Sequence, residues 1–224
     1  MKKKTIGLML LAMAAATLNA QDRDRDRIQD QDRTKLVAVD GEMLQLRDRA
    51  EIHLREQQTL SDGTVLYPNG NYEAPDGKRY RLRDGECLDG DGVMYRNEYQ
   101  YRNKVQKENA GLNAEQVRMR NQNRVHYTFM DGNVYQIRNQ EQVRLETATR
   151  LENGTTVFPD GTYQMRTQDR VRLQDGECLG VDGELFRNMY QMRKQLIQRK
   201  QIQAKKMLKK PTAPPMAAAK KKST

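Results

Sequence analysis

Cys87 and Cys178 are the only cysteines in the chain, and each stands in the same phrase, DGECLDGDG at 84–92 and DGECLGVDG at 175–183. A thiol acts as nucleophile or ligand only as a thiolate beside a base or cation. Neither histidine repeats with the cysteines: at a spacing of 91 residues, His53 aligns with Arg144 and His126 with Lys35. Two readings of the pair stay open. An even count in an oxidising compartment suits a disulfide between Cys87 and Cys178. Small buried hydrophobes at equivalent positions of two domains are the other reading, since a bond needs Cα atoms within about 7 Å.

The remaining chemistry-bearing residues point away from catalysis. No CxxC or HxxxH spacing is present, and the DGDG of Asp89–Gly92 lacks the spaced oxygens of a calcium loop. Its second copy has Gly180 in place of Asp89, so turn formation accounts for it. No metal or cofactor is therefore expected. The serines are Ser61, beside a turn, and Ser223, next to the C-terminus. Acidic residues paired across a cleft would make an envelope hydrolase, but at turns their local role suffices. The run YRNEYQYRNK at Tyr95–Lys104 interleaves aromatics with cations, as a base- or sugar-stacking surface does. Its spacing favours a packed helix face. The clearest binding candidate is the C-terminal basic run. Lys194, Arg199, Lys200, Lys205, Lys206, Lys209 and Lys210, with Ala204, Met207 and Leu208 among them, suit an anionic membrane surface or polyanion. A solvated, solubilising extension is the alternative.

These residues must be positioned by a chain with a plain plan. Residues 1–20 read as a secretory signal peptide: three lysines, then 13 uncharged residues from Ile6 to Leu18, then Ala20 before a polar run. The apolar stretch is too short to span a bilayer. An exported protein, periplasmic or at the cell surface, is expected. The whole chain carries +10, but residues 21–193 hold 27 basic and 30 acidic side chains. The positive excess therefore lies at the two ends, and the body gives no reason to expect nucleic acid.

Shifted by 91 residues, Asp40–Arg102 aligns without a gap with Asp131–Arg193, 26 of 63 positions being identical. Asp-Gly and Asn-Gly pairs punctuate both copies, and such pairs favour hairpin turns. Taking Asn69-Gly70 and Asp84-Gly85 as two-residue turns pairs Tyr67 with Tyr72 and Leu82 with Cys87. A three-residue loop at Pro75–Gly77 pairs Tyr72 with Tyr80. Tyr67, Tyr72, Tyr80, Leu82 and Cys87 would then share one apolar face of a meander. After Gly183, Leu185, Met189, Met192 and Leu196 follow helical spacing, with Phe186, Tyr190 and Ile197 alongside. Asn113 is placed to cap a second helical stretch.

The expected fold is thus mainly β with helices, an α+β class. Two tandem antiparallel β-meander repeats, 35–103 and 126–193, are each followed by a helix covering the apolar sheet face. A charged disordered leader fills 21–34, a helical linker 104–125, and a basic helix extension with a disordered tail 194–224.

The unit LSDGTVLYPNGNYEAPDGKRYRLRDGECLDGDG, echoed at Leu151–Gly183, resembles a domain of unknown function found in exported bacterial proteins. Its members similarly show a signal peptide, turn-rich runs and a Lys/Met-rich end, over about Val37–Arg102 and Thr128–Arg193 here. The resemblance implies export but no activity, ligand or site residue. The sequence is read as that of a non-enzymatic, exported structural or interaction protein with an unidentified envelope partner. Binding an anionic envelope surface through the C-terminal run is the alternative, and the hydrolase a second.

Overall fold

The computed structural model describes residues 27–28, 35–122, 124–165 and 169–208. The signal-peptide reading, nearly all of the leader and the tail after Leu208 lie outside the described residues.

Each repeat opens with a tight hairpin. In the first, β2 (Lys35–Val39) turns into the long β3 (Glu42–His53). In the second, β10 (Val125–Met130) turns into β11 (Asn133–Arg144). The turn residues Asp40-Gly41 and Asp131-Gly132 all have positive φ, the two-residue geometry that Asp-Gly supports best. Short strands follow: β4 (Gln58–Thr59), β5 (Val65–Leu66), β6 (Asn71–Glu73) and β7 (Arg79–Arg81), mirrored by β12 (Thr149–Arg150), β13 (Thr156–Val157), β14 (Thr162–Gln164) and β15 (Val171–Arg172). Each set forms its own four-stranded antiparallel sheet. Each repeat then closes with a second small hairpin, β8 (Cys87–Asp89) with β9 (Met94–Tyr95), or β16 (Cys178–Gly180) with β17 (Leu185–Phe186). A helix follows it: α1 (Glu98–Glu108) in the first repeat, α3 (Met189–Leu208) in the second. Between the repeats α2 (Ala114–Asn121) has Asn113 as N-cap, in a reciprocal capping box with Gln116. Arg27–Ile28, the strand β1, pairs with β3 at Glu51 and Ile52. So part of the expected disordered leader is a strand, where the outer edge of β3 runs on past its ladder with β2.

The two repeats are not separate domains. β8 of the first pairs with β10 of the second, and β16 of the second pairs with β2 of the first. The central join is β3 against β11. One large sheet results, ordered β17-β16-β2-β3-β11-β10-β8-β9, with β1 beside β3. Asp48 is paired with Asn139, its own repeat equivalent, so a pseudo-twofold axis passes between them.

Three layers follow. The small meander sheets cover one face of the large sheet, and α1 and α3 cover the other. Under the first meander, Leu60, Leu66, Leu82 and Leu88 pack with Tyr127, Phe129 and Val134 of the other repeat. Under the second, Leu151, Val157, Tyr163, Leu173 and Leu179 pack with Leu36, Ala38 and Met43. On the helix face, Cys178 lies with Phe186, Met189, Met192 and Leu196, and Cys87 lies with Tyr95, Tyr101 and Val105. All five residues of β2 are buried, as a strand covered on both faces requires.

The expected register holds in part. Tyr72 pairs with Tyr80, and their rings stack 5.3 Å apart. The turn at Asn69-Gly70, however, is a three-residue loop: Tyr67 N–H bonds to Asn71 O, and Gly70 N–H to Tyr67 O. The extra residue makes Leu66, not Tyr67, the partner of Tyr72. A one-residue slip exchanges the faces of a strand. Leu82 and Cys87 do not pair either: Leu82 packs under the meander, while Cys87 crosses to the helix face. The single continuous meander therefore breaks after Leu82, because the closing hairpin finds its neighbour in the other repeat.

Candidate functional site

The helices deliver the residues that sequence reasoning missed. Each starts from an asparagine cap: Asn97 Oδ1 accepts from Gln100 N–H at 3.0 Å, and Asn188 Oδ1 accepts from Gln191 N–H at 2.9 Å. Five residues after each cap comes an arginine, Arg102 or Arg193, and both are fully buried. They point at the middle of β3 and β11. There the ladder shifts register, on either side of the Asp48–Asn139 pair. A bulge breaks the in–out alternation of a strand. Here Asp48 and Glu51, three residues apart, face the helices together, and Asn139 and Gln142 do the same.

Ten buried residues meet there, in five equivalent pairs: Lys35/His126, Asp48/Asn139, Glu51/Gln142, Glu98/Met189 and Arg102/Arg193. Lys35 Nζ donates to Asp48 Oδ2 at 2.9 Å and lies 3.6 Å from Glu51 Oε1. Arg102 donates to Glu98 Oε1 (2.8 Å), Asp48 Oδ1 (3.2 Å), Asn139 Oδ1 (2.6 Å) and Gln142 Oε1 (3.3 Å). Arg193 donates to both Glu98 oxygens (2.8 and 2.7 Å), to Asp48 Oδ2 (2.7 Å) and to Glu51 Oε1. Three cations face three carboxylates.

The electrostatics follow from these partners. Burial opposes charge on Asp48, but Arg193, Lys35 and Arg102 outweigh it and hold the carboxyl well below its usual range. Burial likewise opposes charge on Glu98, and the neighbouring guanidinium of Arg102 overcomes it and lowers that carboxyl. Burial also disfavours the charged guanidinium of Arg102, yet Glu98 and Asp48 reverse the sign and raise it. The cluster is buried, charge-balanced and closed to substrate. It can fix the helices to the sheet; it offers no open carboxylate pair.

The halves are not equally satisfied. In the first half Glu51 Oε2 lacks a protein hydrogen-bond partner, whereas near His126 four atoms do, Nδ1 and Nε2 of the ring, Thr128 Oγ1 and Asn139 Nδ2. His126 Nε2 lies 3.3 Å from Glu98 Oε1, but out of line for a hydrogen bond. Beside Leu44 and Gln142 a groove of about 520 Å³ opens toward α2. Its counterpart is filled by Met130, Tyr135, Tyr190 and Ile197.

Cys87 and Cys178 are free, buried thiols. They lie on β8 and β16, five strands apart in one sheet, roughly 24 Å at the usual strand spacing. The disulfide reading therefore gives way to that of buried hydrophobes. Burial pushes both thiols up, away from the thiolate. Asp89 of the DGDG run serves its turn, accepting from Asp91 N–H and Val93 N–H, from Tyr95 Oη and from Lys104 Nζ. Tyr95 and Tyr101 of the aromatic–basic run are core residues. Among the described residues, no group of three or more His, Cys, Asp or Glu is placed to hold a metal.

Of the basic candidates, Lys194 is paired with Asp131 (2.7 Å), and Arg199 with Glu184 (2.8 Å) and Asp182 (3.8 Å). These two tie α3 to the body. Lys205 is exposed on the outer part of α3. The side chains of Lys200 and Lys206, and all of Lys209 and Lys210, lie outside the described residues. No helix among the described residues is long and apolar enough to cross a membrane.

A profile for a domain of unknown function, DUF6799, matches residues 34–94 and 124–185. No curated protein matches the chain, and no solved structure does. The matched segments are the interleaved hairpins and meanders described above, and together they cover more than half of the sequence: the chain belongs to the DUF6799 family and carries two copies of its domain.

Proposed function

We propose that the protein is an exported, non-catalytic interaction module of the bacterial envelope, and that the outer part of α3 with the residues beyond it engages an anionic surface. One observation carries the reading: α3 outruns its equivalent. Both helices follow equivalent hairpins, yet α1 has 11 residues and α3 has 20. Among the described side chains of α3, the last buried one is Ile197. The next 11 residues, Gln198–Leu208, extend about 16 Å further at 1.5 Å each. That projection and the segment after it are rich in lysine and hold no acid. The paired Lys194 and Arg199 belong to its footing, and Lys200, Lys205, Lys206, Lys209 and Lys210 to the contact. A hydrolase reading gains nothing from Asp48, Glu51 and Glu98, which are buried among arginines.

The test is truncation after Arg199, which spares Leu196, Ile197 and the Arg199–Glu184 pair. Full-length and truncated chains are sedimented with vesicles containing phosphatidylglycerol, with lipopolysaccharide, and with zwitterionic vesicles. Binding to the anionic partners only, falling by about tenfold or more on truncation and weakening with salt, supports the reading. Equal binding by the truncated chain, or none by the full chain, removes it.

A further inference from the structure

Three features concern the way the two halves recognise each other. First, the closing hairpin of each repeat pairs with the opening hairpin of the other. Each meander is likewise roofed onto the other repeat's hairpin. Neither half can bury its own apolar face. Second, the ion cluster is divided unequally. The first half supplies Lys35, Arg102, Asp48, Glu51 and Glu98, and the second supplies Arg193 with the amides Asn139 and Gln142. Leaving His126 aside, two first halves together would bury four cations with six carboxylates. Two second halves would bury two arginines with no carboxylate. Only first with second is balanced, and an unbalanced buried charge is strongly unfavourable. Third, the connection between the halves is held by polar ties, such as Asn121 to Gln142 O and Arg124 to Glu108, with little apolar burial. In α2 only Asn121 is buried, and Met119 is more than half exposed. Opened out, residues 109–124 reach about 50 Å.

We propose that the chain exchanges halves with a second copy of itself. The product is a dimer of two bodies, each built from the first half of one chain and the second half of the other. The acid–amide division is the pairing code that keeps every body first-with-second. The inference does not depend on surface binding by α3.

The experiment uses the full chain, refolded from denaturant over a range of concentrations and sized by light scattering. A dimer fraction that rises with refolding concentration is expected. Deleting Ala110–Asn113 removes the turn between α1 and α2, disfavours the closed chain, and should raise the dimer-to-monomer ratio by about tenfold or more. Should that variant not fold, a full chain with a protease site inserted after Gly111 decides. Cleaving its dimer should yield monomer-sized particles, each holding both fragments. Isotopically light and heavy chains mixed before refolding should give first–second pairs in native mass spectra, with first–first pairs nearly absent. A monomer at every concentration, a dimer that stays dimer-sized after cleavage, or like-with-like pairs in their random one-half share would each overturn the proposal.

Discussion

Arg102 and Arg193 stand at equivalent places on equivalent helices, yet they meet different partners. Arg193 touches three carboxylates, Asp48, Glu51 and Glu98. Arg102 touches two carboxylates and two amides, Asn139 and Gln142. An exactly symmetric site would place equal charges on both sides of its axis. Here the repeats have diverged to acid on one side and amide on the other, and the burden of neutrality falls on Arg193. The backbone has remained symmetric while the charge has not.

That difference can be broken first at the arginines. Arg193→Met leaves three buried carboxylates short of a cation and should cost about 4 kcal/mol; Arg102→Met should cost about 3 kcal/mol, since amides tolerate the loss better. Urea unfolding of the two variants checks the order, and equal costs, or the reverse ranking, would refute the unequal division. Next come two equivalent glycines, Gly70 and Gly161, both with positive φ. A Cβ on Gly70 would meet the Phe129 ring at 2.6 Å, while on Gly161 it would meet Gly41 O at 3.4 Å. The ring is the reason, because Ala38 occupies the position equivalent to Phe129. Gly70→Ala should therefore cost about 3 kcal/mol and Gly161→Ala about 1 kcal/mol, read as the difference in urea midpoint. The smallest effect is one of pH. Asp48 has a folded pKa below its unfolded value of about 3.8. Its stabilisation is therefore present above pH 4 and is lost as the pH falls through the folded value. Asp48→Asn, which gives the first half the residue of the second, should flatten the acid limb of stability against pH by up to one proton, about 1.4 kcal/mol per pH unit. An unchanged slope would show that Asp48 is not held below its ordinary range.

Much of the local structure was legible from residue types. Asn113 reads as a cap and is one, and the helical spacing marks the buried side from Met189 to Ile197, but Leu185 and Phe186, expected in that helix, form the strand β17, with Leu185 exposed. The Tyr72–Tyr80 pair follows from Pro75–Gly77 alone. The pairing between repeats was not legible, because a period of 91 residues is the same whether a hairpin docks on its own copy or on the other. The register at Tyr67 was lost to the extra residue of the Asn69-Gly70 turn. The ion cluster hid for two reasons. The bulge between Asp48 and Glu51 makes those acids look like one inward and one outward residue. The arginines look like the wet side of an amphipathic helix. A signal did exist: Arg193 falls four residues after Met189, on the same stripe as Leu196, and Arg102 repeats it. A charge kept on the buried stripe in both copies calls for buried counter-charges.

The separation of the two thiols carries a temporal consequence. Native geometry cannot accommodate a Cys87–Cys178 bond, whereas an unfolded chain in an oxidising medium closes that loop readily. Once closed, the loop would hold the ends of the sheet together and block assembly of the strands between them. In such a medium the order of events would matter: the chain would have to reach its native pairing before oxidant reached its sulfurs. After that, the layers above Cys87 and Cys178 keep both reduced for as long as the body stays shut.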